Sequence, residues 1–220
     1  MKTRQKLLLI ENRKAEKGWF LGIAVVLMLL FSTGVVRGQS TGTTIRWDVA
    51  SFVTPTTIAP GGVANAFADD GSKITMAGAG TFVTSRFSKG PLAGISFRVT
   101  GGGNWQTFDA QGNSTGSGTY KVRRLDRFEA APGSLVGSGL TDTIGDLANA
   151  RAGLALFALE YSDGSRGALV FSCFLGPPAP PSMFEGMTAT KGFLDYWNRE
   201  DGKPIFTADQ TVFHVVPTKD

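Results

Sequence analysis

From Thr43 onward, apolar and polar residues exchange places in short runs that glycines interrupt. Across Thr43 to Phe52, Ile45, Trp47 and Val49 fall at alternate positions. A period of two marks a strand with one buried face. Val63 to Ala68 and Lys73 to Ala79 flank Asp69-Asp70-Gly71-Ser72, which predicts a hairpin with an Asp-Gly turn. Trp105 to Phe108 and Gly118 to Phe128 flank Asp109–Asn113, and Gly153 to Tyr161 and Ala168 to Phe174 flank Ser162–Ser165, so two more hairpins are expected. Gly80 to Phe87, Ile95 to Thr100, Thr188 to Trp197 and Gln210 to Val216 complete a set of about ten strands. Helical signals are confined to Asp142 to Leu156, where Thr141 or Asp142 is a candidate cap and one short helix or turn is expected near Ile144 to Ala150. The pattern predicts an all-β domain, a single antiparallel β-barrel of about eight to ten strands, with a sandwich as the alternative.

Two details sharpen this. Leu154 to Leu159 and Leu169 to Phe171 are apolar on both faces, as in a strand covered on both sides or lining an apolar lumen. Small residues recur at alternate places (Ala64, Ala66, Ala68; Gly78, Gly80; Gly116, Gly118), which predicts close packing or tight curvature. Gly176 to Pro181 reads as a stiff connection inside one domain.

The first 38 residues follow another pattern. Lys2, Arg4, Lys6, Arg13, Lys14 and Lys17 precede an uncharged apolar run from Trp19 to Phe31, and Val36 and Gly38 supply the small residues of a cleavage site before Gln39. An export signal over 1–38 and one domain over 39–220 are therefore expected. If the leader is uncut, an N-terminal anchor helix with 19–36 in the membrane is the alternative, and the body lies outside either way. The leader holds seven of the 22 Lys and Arg but two of the 18 Asp and Glu, so the body is left with 15 and 16. The excess positive charge belongs to the leader, and no nucleic-acid partner is expected. Lys121, Arg123, Arg124 and Arg127 read as a solvated strand end, with Lys121 and Arg123 on one face and Arg124 on the other. Cys173 is the single cysteine; it lies in an apolar strand, so a buried thiol, no disulfide and no lipid anchor are expected.

Candidate chemistry is sparse. One histidine, His214, rules out HExxH-type metal motifs, and neither a metal nor a cofactor is expected. No G-x-S-x-G elbow occurs, and the glycine groups spell no phosphate loop. Asp109–Asn113 lacks the glycine and the glutamate of a calcium loop. Alternation puts Val212, His214 and Val216 on one face and Phe213 and Val215 on the other. His214 is a candidate acid or base if a carboxylate such as Glu160, Glu185 or Asp195 faces it; otherwise it is a satisfied strand histidine. Trp105, Tyr196 and Trp197 are candidate ligand-contacting aromatics, with packing as the other reading.

Thr100–Asn113, Gly116–Tyr120 and Lys191–Trp197 resemble exported bacterial proteins of unknown function. In style, the glycine-punctuated hairpins resemble the barrels of the allene oxide cyclase and dirigent type. That resemblance implies a small apolar ligand in a barrel lumen and, in some members, metal-free cyclisation or coupling. Three functions stay open on the sequence: an exported module binding a small apolar or aromatic ligand or a surface partner, a cofactor-free isomerase or cyclase, and a structural envelope protein.

Overall fold

The computed structural model describes residues 42–84, 96, 98–200 and 209–217, all within the unit Ser40–Asp220. The leader and its cleavage site lie outside the described residues, as do residues 85–87, 95 and 97 of two expected strands. The fold is all-β: β1 (Thr43–Thr54), β2 (Thr57–Pro60), β3 (Ala64–Phe67), β4 (Lys73–Thr84), β5 (Val99–Phe108), β6 (Ser114–Ala131), β7 (Thr141–Asp142), β8 (Ala150–Tyr161), β9 (Arg166–Cys173), β10 (Gly186–Lys191), β11 (Leu194–Tyr196), β12 (Asn198–Arg199) and β13 (Gln210–Val215).

All thirteen strands belong to one sheet. Every pairing is antiparallel except β2 with β7. The ladders run from β1 through β4, β5, β6 and β8 to β13, and β13 pairs back onto β1. The return is narrow on one side: β13 meets β8 at Phe213↔Arg151 and His214↔Ala150, and β1 along Ile45↔Val215 to Ala50↔Gln210.

The three expected hairpins form, with turns closed by Gly71 N–H to Ala68 O, Gly112 N–H to Asp109 O and Gly164 N–H to Tyr161 O. Ile45, Trp47 and Val49 point inward, and the centre is filled by rings. Trp47 lies 5.4 Å from Phe157 and 5.5 Å from Phe171 between centroids. Phe213 lies 5.1 Å from Phe171 and 5.2 Å from Phe128. The alternating glycines make room for these rings. A Cβ on Gly78 would stand 2.4 Å from the Tyr120 hydroxyl, and one on Gly80 2.8 Å from Trp47 Nε1.

Four expectations are corrected. Gly101–Gly103 does not separate two strands; β5 runs through it, bending at Gly101 (φ +105°) and Gly102 (φ +152°). Thr188 to Trp197 is a hairpin rather than one strand, turning at Gly192. The short helix or turn expected near Ile144 forms as a 3₁₀ turn, Leu147–Asn149, but Asp146 caps it rather than Thr141 or Asp142. Asp142 is not its cap: one carboxylate oxygen accepts the Ile144 and Gly145 N–H groups at 2.8 and 3.2 Å, while Ile144 is buried against the outside of the sheet. Finally, bulges at Val122/Arg124 and Leu125/Arg127 shift the pleat of β6. Arg123, Arg124 and Arg127 all reach solvent there and pair with Glu160, Asp126 and Glu129.

Candidate functional site

On the outer face of β1 the alternation places Arg46, Asp48, Ala50 and Phe52; on β13 it places Gln210, Val212 and His214. The connection between β6 and β8 folds back over this face. Thr141 N–H donates to Thr56 O at 2.7 Å and Thr143 N–H to Ile58 O at 3.0 Å. Asp142 Oδ2 meets His214 Nε2 at 2.8 Å, both side chains being buried. Gly145 lies flat on the imidazole; a Cβ there would stand 2.7 Å from His214 Cδ2. Arg46 grips Asp48 with two bonds of 2.7 Å and donates to Ile144 O at 3.3 Å. The Asp48 hydrogen bond raises the Arg46 pKa, against the opposing pull of burial, and the negative charge of Asp142 adds to the rise.

A histidine oriented by an aspartate is half of a general-base arrangement. Here the other half is closed off. His214 Nδ1 is buried and has no hydrogen-bond partner among the described residues. The pair therefore fastens the connection to β13.

Beside this fastening opens an apolar cleft of about 330 Å³. Ala50, Ile58 and Val212 of the strands, Leu135 and Leu140 of the folded-back connection, and Leu175 line it. Glu185 also lines it, accepting from Thr211 N–H at 2.6 Å, Thr211 Oγ1–H at 2.8 Å and Phe174 N–H at 2.5 Å. Such a volume lies at the lower end of the range for small-molecule pockets.

The residues singled out in the sequence do not converge. His214 faces Asp142, while Glu160 stands on the outer surface with Arg123 at 2.8 Å. The hydrogen bond from Arg123 lowers the Glu160 pKa, the reverse of what a general acid needs. Asp195 is exposed. Tyr196 and Trp105 are buried, and the Trp105 indole N–H donates to Thr119 O at 3.1 Å. Trp197 is about half exposed. The sequence reading missed Leu135, Leu140 and Leu175, apolar residues outside any strand pattern, and it treated Asp142 only as a cap.

Cys173 is fully buried, and burial raises its pKa well above that of a free thiol. Native protein is expected to leave an aromatic disulfide reagent unreacted, and to release one equivalent of thiolate only in denaturant. Rapid reaction of the folded chain would contradict this placement.

No protein-family model matches the chain, and neither does any curated protein or solved structure.

Proposed function

We propose that the chain is an exported, barrel-like binding module that takes a small apolar or aromatic ligand in the cleft between β1, β2, β13 and the β6–β8 connection. The observation that carries the reading is the cleft itself, with Ala50, Ile58, Leu135, Leu140, Leu175 and Val212 around one concave space. Burial of a ligand against such side chains contributes about 25 cal/mol per Å² of apolar surface removed from water. The rings of Trp47, Phe82, Phe157, Phe171 and Phe213 occupy the centre, so the ligand's place is outside the aromatic core rather than in a lumen. Export rests on the charge and hydropathy pattern of residues 1–38. The reading requires no metal or cofactor.

The test is a fluorescence titration of the full chain with N-phenylnaphthylamine, an uncharged aromatic probe. Saturable enhancement is expected. Leu140 is half-buried on the wall of the cleft. Leu140→Glu is expected to weaken the probe at least tenfold, about 1.4 kcal/mol, with the melting temperature held within about 2 °C. Absence of saturable binding, or equal binding by the variant, overturns the reading in favour of a structural or partner-binding module.

A further inference from the structure

Beside the cleft residues Glu185 and Gln210, Asp209 is out of place. It precedes β13, is fully buried, and has a backbone φ of +73°. Outside glycine that conformation is uncommon, and Asn and Asp adopt it most readily. Its N–H donates to Val63 O at 3.1 Å. Its Oδ1 accepts the backbone N–H of Asn65. Its side chain packs on Gly186, where a Cβ would stand 2.9 Å from Asp209 Cβ. Oδ2 is buried with no hydrogen-bond partner among the described residues.

The neighbouring acid is Glu200, just after β12. Its Oε2 accepts from Asn65 Nδ2 at 2.9 Å. One asparagine thus serves both carboxyl groups, its backbone on Asp209 and its side chain on Glu200. Lys73 of β4 is the cation whose field reaches Asp209. Among the described residues, the Arg199 guanidinium lies over the Phe184 ring at 4.5 Å, and Glu185 accepts from Thr211 and Phe174. A buried carboxylate and an exposed one beside it repel unless something positive lies between them. Among the described residues no group of three acids, histidines or cysteines could hold a metal ion. A proton does the same work with two.

We propose that Asp209 keeps a proton that it donates to the Glu200 carboxylate, and that this hydrogen bond fastens the corner where β3, β10, β12 and β13 meet. With the proton present, the orphaned Oδ2 becomes a hydroxyl donor with Glu200 as its neighbouring acceptor. Without it, a buried charge lies next to a second negative group. Burial, reinforced by Glu200, lifts the Asp209 acid to about 7 from its ordinary 3.8, against the opposing pulls of the Asn65 N–H and Lys73. Because the folded value is the higher one, the folded chain binds a proton that the unfolded chain lacks between these limits. Stability therefore falls as pH rises from about 4 to about 7 and stays low above. The corner is a pH-responsive clasp.

The experiment compares thermal melts of the full chain and of Asp209→Asn at pH 5 and pH 8. Asparagine tolerates the positive φ, keeps the acceptor for Asn65 and turns a permanent N–H donor to Glu200. It is expected to melt roughly 5 °C above the parent at pH 8 and no higher than the parent at pH 5. Glu200→Gln, on an exposed side chain, is expected to narrow the parent's pH difference as well. Infrared difference spectra of the parent between pH 6 and pH 8 should show loss of one protonated-carboxyl carbonyl band, which also stands if a variant fails to fold. Equal pH dependence in all three chains, or no such band, overturns the proposal.

Discussion

Phe213→Ala is expected to lower the unfolding free energy by about 4 kcal/mol, the upper part of the range for a buried ring cut to a methyl group. Phe213 is fully buried. Its ring meets Phe171, Phe128 and Phe82 at 5.1, 5.2 and 6.1 Å. These neighbours come from β9, β6 and β4, and β1 supplies Trp47 directly across the ladder. The side chain therefore ties β13, the strand that completes the circuit, to the far side of the core. The loss combines the transfer of the ring with a cavity that rigid aromatic neighbours collapse into poorly. Urea midpoints of the parent and the variant measure it. A loss under about 1.5 kcal/mol would mean that the site repacks and that the ring cluster is not the main support of β13.

Gly102→Ala is expected to cost on the order of 3 kcal/mol or more, enough to deplete folded protein. Gly102 holds φ at +152°, and a Cβ there would stand 2.0 Å from the carbonyl oxygen of Tyr120. That oxygen is backbone inside the β5–β6 ladder, so relief requires the ladder to move. Gly112→Ala is the control. Its φ is +85°, but no atom lies within 4 Å of the added carbon. It should lose about 1 kcal/mol from backbone strain alone. Melting temperatures of the two variants check the contrast. Equal losses would show that the bend in β5 is set elsewhere.

Local signals account for what was legible in advance. The hairpin turns at Gly71, Gly112 and Gly164 carry their own turn chemistry, so sequence places them. The facing of Trp47, and the separation of His214 from Phe213 on β13, follow from the pleat alone. The cleft was not legible, because Ala50, Leu135, Leu175 and Val212 come from four separated stretches and meet only after the β6–β8 connection doubles back. Asp142 and His214 are likewise distant in sequence, and nothing in either neighbourhood names the other. Gly101–Gly103 misled for a different reason. A glycine run ends a strand or bends one, and only the partner strands on both sides decide between the two. Asp209 gave no signal at all; its character comes from the burial, the backbone and the Glu200 beside it.

The narrow return of β13 has a consequence for the order of events in time. The chain is made from its N-terminus, and β13 is the last of these strands to appear. Until it does, β1 keeps one long edge unpaired and Trp47 lacks its cross-strand cover. Pairings that join the first strand of a sheet to the last are slow to close, because the intervening chain must already be gathered in. Throughout that interval the molecule presents a bare strand edge and a half-built aromatic core, both of which invite association with other unfinished copies. Refolding yield is therefore expected to fall as the open edge persists longer or as concentration rises. Shielding it during refolding, by dilution or by a holding partner, is expected to matter more than any gain in the stability of the finished fold.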